Sequence, residues 1–166
     1  MATFGLSGDA EMEGRGRLLL VDPYGTSREG LGAALRAGGF AVETAAGSSE
    51  AIRKVGAAGF DLAIIDLDLP PVHGIAEDGW DLVRILRAAD PALLMVLIAA
   101  ECHPDTQAEA LRYGAAHLLE KPISPRNLFR GEVRKGGAAP SEFFSGRGRS
   151  PRSAPGRPPA SLPRRP

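Results

Sequence analysis

Cysteine is almost missing from this chain: Cys102 is the only one among 166 residues. A single thiol excludes an intrachain disulfide and a cysteine-rich metal site. That usage suits a reducing compartment, so a cytoplasmic location is expected. Long apolar runs are missing too. The longest, Leu18 to Val21 and Ala92 to Ala100, fall far below the roughly 18 residues that a membrane helix requires, and no membrane span is expected. The first 16 residues contain three acids and lack a basic start followed by an apolar stretch, so they do not read as a signal peptide.

The length accommodates one compact domain rather than two. A formal net charge of zero conceals a sorted distribution. Residues 1–125 hold 10 Lys and Arg against 18 Asp and Glu, whereas residues 126–166 hold 10 against 2. An acidic body repels phosphates, which argues against the whole chain being a nucleic-acid binder. From Gly136 onward, 31 residues contain 7 Pro, 5 Gly, 5 Ser and 6 Arg, a composition that cannot build a core. Residues 1–16 are therefore expected to be a flexible leader, 17–134 the folded domain and 135–166 a disordered Pro/Gly/Arg-rich basic tail. The tail arginines could meet nucleic acid or acidic lipid by counterion release, or serve a solubilising extension. Phe143-Phe144 is the tail's one apolar pair, either docked or solvated. With no helical periodicity and no helix-turn-helix pattern in 136–166, no DNA-binding domain is expected.

The apolar pattern repeats in units. Leu18 to Val21 is a continuous apolar run, as expected of a strand covered on both faces, and it ends at Asp22. Thr26 with Glu29 three residues on resembles a capping box, ahead of a helix with Leu31, Ala34 and Leu35 on one face and Gly38-Gly39 at its end. Phe40 to Thr44 reads as a strand, and Ser49 to Val55 as a helix capped by Ser48 or Ser49. Leu62 to Ile65 is a third strand. Leu82, Ile85 and Leu86 mark a third helix, Leu93 to Ile98 a fourth strand, and Ala108 and Leu111 the inward face of a fourth helix. A short strand through Leu118-Leu119 and a weak fifth helix near Leu128 to Val133 complete the series. Alternating strands and helices predict an α/β fold, a flavodoxin-like doubly wound parallel sheet of five strands, (βα)5. Ligand sites in such sheets lie at the carboxyl ends of the strands, where the strand order reverses.

Those ends carry Asp22 after the first strand, Asp66 after the third, Ala99-Ala100 after the fourth and Lys121 after the fifth. Two carboxylates and an ammonium at one rim suit phosphoryl transfer to a carboxylate. Acids hold Mg²⁺, the metal and the lysine neutralise phosphoryl oxygens, and one aspartate attacks phosphorus. The blander reading leaves Asp22 and Asp68 as solvated strand ends and Lys121 as a solvated lysine. His73 and Cys102-His103 have no partners at ligand spacing and are read as loop residues, and Trp80 as packing.

Val21-Asp22, Asp66-Leu67-Asp68-Leu69-Pro70, Gly114-Ala115 and Lys121-Pro122, in that order, resemble the receiver domain of bacterial two-component response regulators. The resemblance covers residues 17 to about 134. It implies that Asp66 is the phospho-acceptor and that Asp22 and Asp66 belong to an acidic Mg²⁺ pocket. It further implies that the backbone carbonyl of Asp68 is a metal ligand and that Lys121 contacts the phosphoryl group.

Four positions depart from the family pattern. Pro23 stands where a second acid is usual and offers neither carboxylate nor N–H. Ala99 replaces the Ser or Thr that hydrogen-bonds the phosphoryl group, and Leu118 aligns with the aromatic that moves with it. The loop from Pro70 to Gly79 is about five residues longer than usual. Within it, Glu77 or Asp78 is a candidate to supply the acid missing at Pro23.

The expected function is a stand-alone receiver protein, not an enzyme, that takes a phosphoryl group on Asp66 from a sensor histidine kinase or phosphotransfer protein. It would then contact an unknown downstream protein near the last strand and helix. The alternative is a degenerate receiver acting as a phosphorylation-independent binding module. A flavin-binding protein on a similar fold would need a hydroxyl- and glycine-rich phosphate loop, which Asp22 to Ser27 approximates poorly, so no organic cofactor is expected.

Overall fold

The structure, a computed structural model, describes residues 15–124 and Leu128. Strands and helices alternate: β1 (Arg17–Val21), α1 (Gly25–Ala37), β2 (Ala41–Ala45), α2 (Ser48–Ala57), β3 (Leu62–Asp66), α3 (Gly79–Ala89), β4 (Leu94–Ala99), α4 (Pro104–Arg112) and β5 (His117–Glu120). Apart from Leu128, the fifth helix expected near Leu128 to Val133 lies outside the described residues, as do the tail and almost all of the leader.

All neighbouring strands run parallel in the order β2-β1-β3-β4-β5. This is the flavodoxin-like doubly wound sheet expected from the sequence. Its apolar runs are continuous because both faces of each central strand are covered. Leu18, Leu20, Leu62, Ile64, Val96 and Ile98 pack with Leu31 and Leu35 of α1 and with Leu128. The alternate residues, Leu19, Val21, Ala63, Ile65, Met95 and Leu97, pack with Ala51 of α2, with Leu82, Val83 and Leu86 of α3, and with Ala110 of α4. Each fully buried leucine or isoleucine contributes about 2 kcal/mol. The central strand β3, buried at every position, anchors both layers.

Local chemistry moved some boundaries. No capping box forms at Thr26, because α1 begins two residues earlier than that motif requires, with Tyr24 at the cap position. The Asp22 carboxylate accepts the Tyr24 N–H at 2.8 Å, and the Tyr24 carbonyl already accepts the Arg28 N–H at 2.8 Å. Neither Ser48 nor Ser49 caps α2. Gly47 occupies the cap position, and the Glu50 carboxylate turns back to accept the Ala46 N–H at 3.0 Å. On α4, Ala108 and Leu111 point outward instead of inward, Leu111 being 74% exposed, and Ala110 is the buried residue. A nine-residue helix with apolar residues at 108, 110 and 111 offers two faces that periodicity alone cannot rank.

At the amino-terminal edge of β4 and β5, Arg87 ties the elements together. Its guanidinium donates to the carbonyls of Pro91 (2.9 Å), Leu93 (3.0 Å), Tyr113 (3.1 Å) and Gly114 (2.8 Å). Gly114, at φ +67°, makes the tight turn that delivers its carbonyl.

Candidate functional site

β1 and β3 are neighbours, with Val21 paired to Ile65, so Asp22 and Asp66 emerge side by side from the carboxyl rim. This is where the strand order reverses, β2 lying on one side of β1 and β3 on the other. Both aspartates are 2% exposed. A carboxylate withdrawn from water this far needs partners. For Asp22, Oδ1 accepts the Tyr24 N–H at 2.8 Å. For Asp66, Oδ1 accepts the Asp68 N–H at 2.9 Å, and Oδ2 lies 2.8 Å from the Lys121 Nζ.

Lys121 arrives from the far side of the sheet. Its N–H donates to the Ala99 carbonyl at 2.9 Å, extending the β4–β5 ladder one residue past Glu120, and the peptide to Pro122 is cis. The ammonium bridges Asp66 to Asp68, whose Oδ2 is also 2.8 Å away. Its third neighbour is the ring of Tyr24, with Nζ 5.3 Å from the centroid. Burial pulls the pKa of this lysine down, but the hydrogen bonds it donates to Asp66 and Asp68 and the charge they carry outweigh it, leaving the value raised. The lysine is held as a cation.

The rim thus brings Asp66, Asp68 and Lys121 into contact, with Asp22 on the adjacent strand end. Asp68, expected as a strand-end acid whose carbonyl is a metal ligand, also puts its carboxylate on Lys121, a contact that was not expected. No local pattern signals it, because the chain bends at Leu67 and the Asp68 N–H turns back to the Asp66 carboxylate. Tyr24 was overlooked as well. Only its burial-independent contact with Lys121, which depends on the turn after β1, brings it to the rim.

Two carboxylates from adjacent strands and a loop carbonyl are hard oxygen donors of the kind that bind Mg²⁺, which keeps several of its waters. They fit such an ion with one fewer acid than the family pattern provides. Neither Glu77 nor Asp78 makes up the difference. Among the described residues no three Asp, Glu, His or Cys side chains are grouped to hold a metal. Asp78 is instead the cap of α3, its Oδ1 accepting the Asp81 N–H at 2.9 Å, while the Glu77 N–H donates to the Asp81 Oδ2 at 2.8 Å.

The longer loop is folded back on itself. Val72 and Ala76 form an antiparallel bridge around His73-Gly74-Ile75, with Gly74 at φ +75° and Ala76 buried. Gly79, after the loop, sits so close to Leu67 that an added Cβ would meet the Leu67 carbonyl oxygen at 2.5 Å. On the other side of the site, Ala99 is buried and Leu118 packs against the layer of α2, α3 and α4. Cys102 is a free thiol whose pKa burial pushes up, helped by the charge of Glu120, and His103 pairs with Glu101 at 2.6 Å.

The family model of the response regulator receiver domain matches residues 18–131. The chain belongs to that family. Among curated relatives, this receiver domain is 32% identical over 120 residues to the alginate biosynthesis transcriptional regulatory protein AlgB of Pseudomonas syringae pv. tomato, covering 72% of this chain and 26% of that one. It is 31% identical over 134 residues to the DNA-binding response regulator MtrA of Mycolicibacterium paratuberculosis, covering 79% and 57%. The chain therefore spans about a quarter to somewhat over half the length of these relatives. Among solved structures, the chemotaxis protein CheY4 of Vibrio cholerae is similar at 29% identity and a TM-score of 0.61, over 68% of this chain and 92% of that one. A response regulator of Burkholderia pseudomallei, with a phosphorylated aspartic acid, calcium ion and citrate, shares the fold at 24% identity and a TM-score of 0.60, over 68% and 64%. Among the described residues no helix is long and apolar enough to cross a membrane.

Proposed function

We propose that this receiver domain accepts a phosphoryl group on Asp66 in a two-component phosphorelay, with a sensor histidine kinase or a phosphotransfer protein as donor. The observation that carries this reading is the Lys121 ammonium 2.8 Å from a buried Asp66 carboxylate at the rim of the sheet. An Asp66 oxygen attacks phosphorus, the P–N bond to the donor histidine breaks, and its electron pair stays on nitrogen. The product is an aspartyl phosphate. Lys121 neutralises charge on the phosphoryl oxygens, and the buried rim strengthens that interaction by excluding water. Asp22, Asp66 and the Asp68 carbonyl are the residues that would hold Mg²⁺, which supplies positive charge to the same oxygens when bound.

In this reading the domain spans residues 17–134, is a signalling switch rather than an enzyme, works in the cytoplasm and passes its state to a downstream protein.

A second reading, a binding module that needs no phosphorylation, is favoured by Ala99 and Leu118, which leave the end of β4 and the middle of β5 without hydroxyl or ring. Incubation with acetyl phosphate and Mg²⁺, followed by intact mass, separates the two. The first reading expects one added phosphoryl group in the parent and none in Asp66→Asn. A parent that gains nothing supports the second.

A further inference from the structure

Lys121 has three N–H bonds to place. Two neighbours are carboxylates, the Asp66 and Asp68 Oδ2 atoms at 2.8 Å each, and the third is the face of Tyr24. We propose that Tyr24 is a positioning residue, whose ring holds the Lys121 ammonium at the acceptor and so sets how fast a phosphoryl group enters and leaves Asp66. The proposal rests on the reading of Asp66 given above.

The local chain is built to hold the ring in place. The Tyr24 N–H is bound by the Asp22 carboxylate, the Tyr24 carbonyl accepts the Arg28 N–H, and the Arg28 guanidinium returns to the Asp22 carbonyl at 2.7 Å. Pro23 between them has a fixed φ. The ring itself is not held by core packing, since Tyr24 is 57% exposed, so its contact with Lys121 is not a by-product of burial.

The ring differs from the other two neighbours in one respect that matters. When Asp66 becomes an acyl phosphate, its carboxylate charge is gone, and negative charge moves outward onto phosphoryl oxygens. The Asp68 carboxylate keeps its charge and competes for the ammonium. The ring attracts a cation through its quadrupole and is unchanged by the reaction. It is therefore the anchor that keeps Lys121 from swinging wholly to Asp68 while the group on Asp66 changes. The same placement acts on the way out. There, water oxygen attacks phosphorus, the bond between phosphorus and the Asp66 oxygen breaks with its electrons returning to the carboxylate, and the water's proton passes to solvent.

The test compares Tyr24→Leu with Tyr24→Phe in the full chain. Tyr24→Leu is expected to slow uptake from acetyl phosphate by about threefold to tenfold, the scale of one exposed cation–π contact up to a partly desolvated one, while Tyr24→Phe stays within about twofold of the parent. A second readout needs no phosphoryl group. The Lys121 ε-methylene protons should resonate upfield in the parent and in Tyr24→Phe, and return to an ordinary lysine position in Tyr24→Leu. Parent rates in Tyr24→Leu, equal losses in both variants, or ordinary ε-methylene shifts in the parent would each overturn the proposal. A parent that takes up nothing yet keeps the upfield shift overturns the reading of Asp66, and with it the kinetic role of Tyr24.

Discussion

Two neighbouring parts of the same rim have been treated differently. Where β1, β3 and β5 end, Asp22, Asp66, Asp68 and Lys121 are all engaged, by main-chain N–H groups, by one another or by an aromatic ring. Where β4 ends, Ala99 and the nearby Leu118 offer only methyl groups. On the proposed reading, the groups that would receive a phosphoryl group are present while the positions that the family resemblance gives the task of reporting it are apolar, so uptake and response would be separable.

The sharpest way to break the comparison is to remove the cation. Lys121→Met should slow phosphoryl uptake by about a hundredfold, the scale of losing one preorganised charge-stabilising donor, in acetyl phosphate time courses. A rate near that of the parent would mean that the engaged side is a structural ion pair. Pro23→Asp sharpens the same side by returning an acid beside Asp22. Mg²⁺ binding measured by calorimetry should tighten by roughly tenfold, because affinity follows the number of charged oxygen donors. Unchanged affinity would mean that residue 23 does not face the cation. The smallest effect belongs to the apolar side. Ala99→Thr adds one hydroxyl, and uptake should change by less than about fivefold, the scale of a single hydrogen bond. Combining it with Leu118→Tyr should extend phosphorylation-dependent amide shifts in NMR spectra into β4 and β5. Shifts already present there in the parent would show that main-chain movement suffices.

The sheet was legible in the sequence because its signal is redundant. Uninterrupted runs such as Leu18 to Val21 and Leu62 to Ile65 exist only where both faces are covered, and the residue after each run is at the rim by construction. Asp22 and Asp66 followed from that, while Lys121 lies one residue farther on, after Glu120, at the end of the short strand through Leu118-Leu119. The inward face of α4 did not, since nine residues with three apolar positions leave the period ambiguous, and Leu111 went to solvent. The Asp68 carboxylate and Tyr24 were missed for another reason. Each reaches Lys121 across the sheet from a loop, and such contacts depend on turn geometry that no local pattern encodes. Of the two acids proposed to replace the one missing at Pro23, Asp78 is taken up as the cap of α3, and neither joins a group of three acids among the described residues.

Arg87 gives the rim a fixed counterpart. A flat, rigid cation gripping four carbonyls cannot slide without losing several bonds together, so the ends of β4 and β5 farthest from Asp66 are pinned to α3. A displacement that starts at the acceptor would then meet its stiffest resistance at this pinned end and its least at the loops on the opposite edge.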